Sequence, residues 1–516
     1  MSAGPACDVD AVIVGSGPNG LAAAVVLARA GLSVLVLEAE STLGGGARTL
    51  DLGLAPGLTH DLCSAVHPLA VASPFFREFD LRGRGVELVT PEVSYGQPFG
   101  TGPAALAHRD LGRTAAGLGL DGRAWERFFR PLLAAPDAIV AAALGDKRSL
   151  PLTSGSSGRG GVGVRRDAPA GPRSADRLTA IRALGSFGLR VGSEGTALWN
   201  LPWRTEAAKA LLTGVATHAI GRQPSLTTAG TGLLLATLAH GEGWPIPVGG
   251  SQVITNALVA DLTAHGGEVR TDVRVRSVED LPPARAVLFD TTAEAAAAVL
   301  GDALPARVRQ GLRGLGHGPG AAKVDLVIDG PIPWGDPRLG DAGTVHVGGT
   351  RAEMAAAEAQ VVAGRMPARP VVLVSDPGRF DPSRVVGGLR PVWAYAHVPA
   401  DCPIDPTRFV LAQIERFAPG FRERIVAVRG TPASRMAEHN ANLVGGDISG
   451  GRLGLARLVA RPRWAWETKR LAGTSAYLCS AATTPGPGVH GMAGFHAARD
   501  VLAQRFGMRD GVSLGM

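Results

Sequence analysis

The stretch DAVIVGSGPNGLAAAVVLARAGLSVLVLE, residues 10–38, decides the fold. It begins with a short β-branched run at residues 11–14, which predicts a buried strand, and continues with the glycine pattern G-x-G-x-x-G. The Ala- and Leu-rich residues 21–30 predict a helix, and residues 33–37 predict a second strand. A strand, a glycine turn, a helix and a second strand in this order are typical of a dinucleotide-binding unit.

Each glycine of this turn has a separate physical task. Gly15 permits the tight turn, Gly17 lets a diphosphate approach the backbone, and Gly20 allows helix and strand to pack closely. The helix N-terminus offers unpaired N–H groups and a partial positive charge to that diphosphate. Glu38 lies 21 residues after Gly17, where a carboxylate can accept hydrogen bonds from ribose hydroxyls and disfavours a 2′-phosphate. The sequence therefore predicts a bound dinucleotide other than NADP.

Composition sets the broad class. The chain has 516 residues, 45% of them hydrophobic and 19% charged, which predicts a soluble globular protein with two intertwined domains. The net charge is +7, but the arginines are scattered and only four lysines occur, so we expect no nucleic-acid partner. The four cysteines form no C-x-x-C pair, which predicts buried thiols rather than a redox-active disulfide. No metal site is predicted.

The location of the protein is predicted from what the sequence lacks. The first ten residues have neither the basic start nor the apolar core of a signal peptide. No charge-free apolar run reaches the ~18 residues of a spanning helix. We therefore expect a cytoplasmic protein, with contact at a membrane surface left open.

A second glycine segment follows Glu38 and carries a family resemblance. It consists of Gly44, Gly45 and Gly46, followed by Arg48, which is either a diphosphate contact or a surface arginine. With the first turn, it resembles the N-terminal fingerprint of FAD-dependent oxidoreductases in the phytoene-desaturase-like and amine-oxidase-like superfamily. In that family the acidic residue is followed by G-G-R. Here Gly46 stands at the arginine position, and Arg48 comes two residues later. The resemblance implies FAD as the cofactor.

A second block, at residues 245–290, extends the resemblance. A helix is predicted at residues 252–264, and the alternating residues 269–278 predict a strand. The resemblance implies that the backbone of this strand meets the adenine of FAD at Val275. Residues 286–290 predict a strand that returns to the dinucleotide-binding domain.

The third block, at residues 476–499, resembles the C-terminal FAD motif of the same family. A predicted strand at residues 477–480 leads through a glycine–proline turn to a helix that begins at Val489. The N-terminus of this helix is expected to face the N1/O2 edge of the flavin and to stabilise negative charge there. His490 lies beside that edge and is a candidate catalytic residue.

Two further segments resemble regions that lie close to the flavin in this family. His60 and His67 follow the first block and are either flavin-lining or structural histidines. The polar loop EHNANLVGGDISGG, at residues 438–451, carries Asn442 and Asp447. We expect Asp447 to shape the turn rather than to take part in catalysis.

Candidate site residues follow from these blocks. The predicted cofactor-binding residues are Gly15, Ser16, Gly17, Pro18, Asn19, Gly20, Glu38, Ala39, Gly45, Gly46, Arg48, Val275, Gly488, Val489, Gly491 and Met492. Trp393, Tyr395 and His397 alternate on a predicted strand and share one face. If that face points at substrate, Tyr395 or His397 is a candidate proton acceptor; the alternative is an aromatic face packed under a helix.

The resemblance implies an α/β fold with two discontinuous domains. A Rossmann-type, GR2-like FAD-binding domain is expected at residues 1–100, 245–295 and 465–510. An α+β substrate domain, made of an antiparallel sheet and a helical cap, is expected at residues 101–244 and 296–464. Residues 151–177 are rich in Gly, Ser, Pro and Arg, which predicts a mobile loop.

The function implied by the resemblance is FAD-dependent desaturation of a CH–CH bond in a hydrophobic small molecule. Hydride would pass to flavin N5, with oxygen, a quinone or another carrier as the electron acceptor. An FAD-dependent amine oxidase, weakened by the presence of only three tyrosines, and a non-catalytic flavin- or ligand-binding protein stay open as alternatives. Since no second dinucleotide-binding unit of strand, G-x-G-x-x-G turn, helix and strand is predicted, a nicotinamide-driven reductase is disfavoured. The oligomeric state is left open.

Overall fold

The computed structural model describes residues 8–100, 102–146, 174–454, 461–462 and 467–515. The strands are β1 Val9–Val14, β2 Val34–Leu37, β3 Thr49–Asp51, β4 Thr59–Asp61, β5 Leu88–Val89, β6 Val93–Gln97, β7 Ala105–His108, β8 Ile246–Pro247, β9 Glu268–Arg270, β10 Ala284–Phe289, β11 Gly320–Asp329, β12 Ala342–Val347, β13 Val372–Ser375, β14 Leu389–Val398, β15 Ile425–Thr431 and β16 Ala476–Leu478. The α-helices are α1 Pro18–Arg29, α2 Pro68–Ala72, α3 Pro74–Phe79, α4 Leu111–Gly117, α5 Gly122–Leu133, α6 Pro136–Leu144, α7 Ser174–Glu194, α8 Glu206–Ala216, α9 Leu226–Ala239, α10 Gln252–Ala264, α11 Ala293–Leu300, α12 Ala306–Arg313, α13 Arg351–Val362, α14 Thr407–Glu415 and α15 Met492–Arg505. Within these ranges, no helix has both the length and the apolar character needed to span a bilayer.

A five-stranded parallel sheet forms the Rossmann-like part of the chain, in the order β16-β10-β1-β2-β9. Its central strands are buried apolar runs, as expected for a parallel sheet covered on both faces. Helices α1, α10 and α15 pack on one face, and α11 and α12 pack on the other. The strands come from three separate stretches of chain, so the predicted discontinuous α/β unit is confirmed.

A seven-stranded sheet forms the second part, in the order β15-β11-β14-β13-β12-β6-β7. All neighbouring pairs are antiparallel apart from β12 and β6, which run parallel. One face of the sheet packs against α14, and part of the other face packs against α8 and α13. The predicted boundary at residue 100 falls after the chain has entered this sheet, because β6 already pairs with β12 and β7.

The helical cap contains two consecutive helices at residues 122–144, because Pro136 has no N–H to continue α5 and instead begins α6. The cap differs from its prediction in one place. Residues 174–177, predicted as part of a mobile loop, begin α7. The rest of that predicted loop, residues 151–173, lies outside the described residues.

The strand predicted over residues 269–278 is also shorter than expected. β9 ends at Arg270, and Asp272 adopts a left-handed conformation with φ +59° that an extended strand cannot include. Val275 therefore lies in a connecting segment rather than on a strand.

Candidate dinucleotide and active site

The turn between β1 and α1 holds the residues predicted to meet a diphosphate. Gly15 has a φ of +99°, a conformation that favours glycine. Ser16 ties the turn to the predicted ribose-binding carboxylate, since its N–H and its hydroxyl donate to Glu38 Oε2 at 2.8 and 2.6 Å. Pro18 is the first residue of α1, and the buried Oδ1 of Asn19 has no hydrogen-bond partner among the described residues. An acceptor is thus left without a protein donor at the turn.

The second glycine loop lies directly against the first turn. A Cβ on Gly45 would lie 2.9 Å from the Cα of Gly17, so a larger residue would push the two loops apart. Arg48 is buried, and its guanidinium donates to Gly45 O at 3.0 Å, to Thr42 Oγ1 at 3.0 Å and to the carbonyl of His439. Arg48 therefore clamps this loop to the polar loop at residues 438–451, and the surface-arginine alternative is wrong.

The C-terminal helix α15 begins on the same turn. A Cβ on Gly494 would overlap the carbonyl oxygen of Asn19, so glycine is what lets α15 approach α1 at this point. Gly491, with a φ of +68°, precedes the helix and also faces α1, where a Cβ on it would lie 3.1 Å from Ala22 Cβ. The helix starts at Met492 rather than Val489, because the positive φ of Gly491 interrupts helical geometry. The first and third predicted blocks therefore meet in space.

His490 lies at this junction and is fully buried. Its Nδ1 accepts the N–H of Met492 at 3.0 Å, and its Nε2 lies 3.1 Å from the carbonyl of Gly486, to which it donates. Burial lowers the pKa of His490 to about 4, so the ring is neutral and both nitrogens are engaged. These bonds hold the glycine–proline turn in front of α15. They leave no ring nitrogen for the catalytic role predicted for His490.

Other predicted cofactor-binding residues lie around the same region. Ala39 is half-buried just after Glu38, and Val489 is half-buried in the turn before α15, next to the exposed Gly488. Gly46 accepts the N–H of Ser64 at 3.2 Å.

Val275 lies in the segment that follows β9. Val273 in that segment donates its N–H to Glu38 O at 2.8 Å, which places the segment beside the predicted ribose site. Val275 itself is half-buried and packs against the apolar core on the face of the parallel sheet that α11 and α12 cover. The contact of Val275 with adenine stays a prediction.

A buried polar pair lies on the face of the seven-stranded sheet that β4 approaches. Lys323 and Asp325 of β11 form an ion pair, and they stand in register with Tyr395 and Trp393 of β14. His60 of β4 approaches the pair, with its Nδ1 3.7 Å from Asp325 Oδ1. Both nitrogens of His60 and Oδ2 of Asp325 lack hydrogen-bond partners within the described part of the chain. Burial lowers the pKa of His60 to about 4, which keeps the ring neutral.

The predicted proton acceptors Tyr395 and His397 share this face. Their ring centroids are 5.6 Å apart, and the ring of Tyr395 lies 5.0 Å from that of Trp393. His397 Nδ1 bonds Glu358 Oε1 of α13 at 2.5 Å, and its Nε2 has no partner among the described residues. Burial raises the pKa of Tyr395. Helix α13 therefore covers the His397 end of the row, while the Trp393 end is only partly buried.

Sequence reasoning missed the Lys323–Asp325 pair, although a signal was present. Lys323 is one of only four lysines, and it alternates with Asp325 in a strand whose other residues are apolar up to the exposed Asp329 at its end. Both side chains therefore emerge on one buried face. A second missed pair joins Arg384 to Asp61 at 3.0 Å. Burial pushes the pKa of Asp61 upward, but Arg384 and hydrogen bonds from neighbouring residues outweigh burial and lower it.

The polar loop at residues 438–451 joins the two parts of the molecule. The Asn442 side chain donates to Asp290 O at 3.0 Å and accepts the N–H of Thr292 at 3.0 Å. Asp447 accepts backbone N–H groups at 2.7 to 3.0 Å, from Gly318, Ser449 and Gly451. Asp447 thus shapes the turn.

Comparison with known proteins places this geometry in context. Residues 13–79 match the NAD(P)-binding Rossmann-like domain. The chain is 25% identical to the pyridine nucleotide-disulfide oxidoreductase domain-containing protein 2 of Rattus norvegicus, over 96% of this chain and 93% of the rat protein.

Solved oxidases share the architecture. A double mutant of putrescine oxidase superposes with a TM-score of 0.60 at 16% identity, covering 96% of this chain and 99% of the oxidase. Cyclohexylamine oxidase from Brevibacterium oxydans superposes with a TM-score of 0.56 at 14% identity, covering 96% of this chain and 98% of that enzyme. The chain therefore has the fold of these oxidases, with a Rossmann-like dinucleotide-binding domain.

Proposed function

We propose that this chain is an FAD-dependent oxidoreductase that dehydrogenates a CH–CH bond of a hydrophobic small molecule, in the manner of phytoene-desaturase-like enzymes. The observation that carries the proposal is the junction of three distant segments. The second glycine loop contacts the first glycine turn at Gly45 and Gly17, and the start of α15 contacts the same turn at Gly494 and Asn19. The first of these segments alone suffices to hold a diphosphate. The other two segments support FAD because they are the ones that the family resemblance assigns to it.

The residues at this junction fit FAD. Gly15 and Gly17 give a diphosphate access to the N-terminus of α1, and Glu38 offers carboxylate oxygens at the end of β2. The buried Oδ1 of Asn19, which has no hydrogen-bond partner among the described residues, can accept from a hydroxyl group of the cofactor. The N-terminal end of α15 adds a partial positive charge on the same side. Bound FAD would supply the hydride acceptor for the reaction.

The chain's own residues would position substrate and take up its proton. The rings of Trp393 and Tyr395 give an aromatic surface on which an apolar substrate can lie. Removal of a hydride from one carbon leaves a proton to be lost from its neighbour. The neutral ring of His60 carries a lone pair for that proton, and Asp325 beside it would stabilise the resulting imidazolium. The electron acceptor that reoxidises the cofactor is oxygen, a quinone or another carrier.

Amine oxidation on the same fold is the second candidate. It is favoured by the aromatic pair Trp393 and Tyr395, whose rings lie 5.0 Å apart beside the buried Lys323. The two oxidases with this fold carry putrescine and cyclohexylamine in their names, which makes small amines the reasonable comparison set.

Anaerobic titration of the FAD-loaded protein tests both candidates. The protein is mixed with one panel of hydrophobic metabolites and one panel of primary amines, and bleaching of the flavin absorbance is followed. We expect bleaching by a member of the hydrophobic panel, with a product two hydrogens lighter by mass spectrometry. Bleaching by amines alone would establish the second candidate instead. A protein that binds ligands from either panel without bleaching would be a non-catalytic flavin-binding protein.

A variant of His60 tests the assigned proton acceptor. His60→Gln keeps a polar side chain of similar size but has no basic nitrogen, so the rate of flavin bleaching should fall by roughly 10²-fold or more. His67→Gln is the matched control, because His67 is equally buried but bonds Ser251 Oγ at 2.7 Å, away from Asp325. Equal loss in both variants would remove His60 from the proposed role.

A further inference from the structure

Asp290 occupies an unusual position for a carboxylate. It directly follows β10, and its Oδ2 accepts the N–H of Gly20 at 2.9 Å, in the first turn of α1. A Cβ on Gly17 would overlap Oδ2 of Asp290, and a Cβ on Gly20 would lie 2.9 Å from it. The second and third glycines of the turn therefore make room for this side chain.

The groups around Asp290 act on its charge in opposite directions. Burial disfavours the carboxylate most strongly, and the Glu38 carboxylate at the end of β2 also opposes it. The backbone N–H groups of Gly20 and Gly17 favour the charged form. Cys479 directly follows β16, and its burial, together with the Asp290 carboxylate, raises the pKa of its thiol. The balance raises the pKa of Asp290 to about 7.

A dinucleotide would bring its own negative charge to the same helix end. The diphosphate and an ionised Asp290 would both depend on the N-terminus of α1, and like charges that share a site disfavour each other. A neutral Asp290 removes that repulsion while its carboxyl oxygen still accepts the N–H of Gly20. Occupancy of the turn by a diphosphate should therefore favour the protonated side chain.

We propose that Asp290 couples dinucleotide binding at the glycine turn to the uptake of one proton, so that the site binds tightly when this side chain is neutral. The proton comes from solvent and stays on the carboxyl group of Asp290 for as long as the diphosphate is bound. This inference rests on the proposed binding of FAD at this turn. Asp290 acts as a positioning and charge-setting residue, with no part in the redox step.

Binding of FAD to the apo-protein as a function of pH tests the inference. The dissociation constant of the wild-type chain is measured between about pH 6 and about pH 9. At pH values above neutrality it should increase by up to about tenfold per pH unit, as the uptake of one proton requires. Asp290→Asn keeps an acceptor for the N–H of Gly20 but has no charge, so its dissociation constant should be nearly independent of pH. Glu40→Gln is the control, because Glu40 is a nearby carboxylate that lies outside the glycine cradle; it should retain the wild-type dependence.

Calorimetry on the wild-type chain gives the same information without a variant. FAD is titrated at about pH 8 in two buffers of different ionisation enthalpy, and the difference in binding heat should correspond to nearly one proton taken up. Binding of FAD with no proton uptake and no pH dependence would overturn the inference alone. Failure of the wild-type chain to bind FAD at any pH would overturn the proposed function and this inference together.

Discussion

The glycine junction and the polar sheet face are both buried, but they are built in opposite ways. At the junction, Gly17, Gly45 and Gly494 bring main chain against main chain, and the missing side chains are what matters. At the sheet face, Lys323, Asp325 and His60 bring charged and polar side chains together from two sheets. The first region has no room for an added side chain, whereas the second depends on keeping its opposite charges paired.

The largest expected effect comes from adding one methyl group at the junction. Gly494→Ala should destabilise the protein by about 5 kcal/mol, because its Cβ would overlap the Asn19 carbonyl within a packed helix pair. Urea unfolding and the flavin content of the purified variant measure the effect. Gly188→Ala is the control, since Gly188 also lies within a helix but a Cβ added there would meet nothing within 4 Å. It should be neutral or stabilising by up to about 1 kcal/mol. Equal free energies of unfolding for the two variants would show that the close approach of α15 to Asn19 does not require glycine at residue 494.

A smaller loss is expected at the sheet face. Lys323→Met leaves the Asp325 carboxylate buried without its ion-pair partner, which should cost about 3 kcal/mol of unfolding free energy. The double variant Lys323→Met, Asp325→Leu should recover most of that loss, because it removes both charges. The exposed pair of Arg113 and Glu92 is the reference, and Arg113→Met should cost less than about 1 kcal/mol. A double variant no more stable than the single one would show that the charges do not act as a pair.

The two regions also differ in how far sequence predicts them. The first glycine turn is contiguous from β1 to β2, so its spacing alone predicts the strand, turn, helix and Glu38. The meeting of α15 with this turn follows only from family resemblance, since nothing local in residues 476–499 specifies a partner. The Lys323–His60 arrangement depends on the register of β11 with β14 and on the approach of β4, which no short stretch encodes.

His490 and Arg48 illustrate how far the sequence predicts the role of a single side chain. The motifs predict both positions beside the cofactor. In the structure, Arg48 and His490 bond protein groups, mostly backbone carbonyls and N–H groups, and these bonds position loops. Sequence spacing places a residue near a site, but it does not decide between a side chain that faces a ligand and one that holds the backbone.

The pH dependence of stability separates the charge of Asp290 from its packing. Its folded pKa of about 7 lies above the ordinary value of 3.8, so the stability associated with the neutral carboxyl is complete below about pH 4 and is lost as pH rises through about 7. Asp290→Asn removes this titration, and the apo-variant should gain about 2 to 3 kcal/mol relative to wild type between pH 5 and pH 8. Urea unfolding of both apo-proteins at the two pH values measures the change. Parallel stabilities across that range would contradict the assigned titration.

The smallest expected effect distinguishes a positioning His490 from a catalytic one. His490→Gln should cost about 1 kcal/mol of stability, because it weakens two hydrogen bonds in the turn before α15. Flavin release should become faster, while the pH profile of flavin bleaching stays unchanged. A shift of that pH profile in the variant would restore the catalytic assignment.

The cofactor content of the purified full-length chain tests the central claim most directly. After denaturation, the released cofactor is separated by chromatography and identified by mass, and its amount is compared with that of the protein. A dinucleotide site shared by the first glycine turn and α15 predicts close to one FAD per chain, or uptake of that amount by the apo-protein. A colourless protein that takes up no FAD, or one that binds only a nicotinamide dinucleotide, would contradict the account.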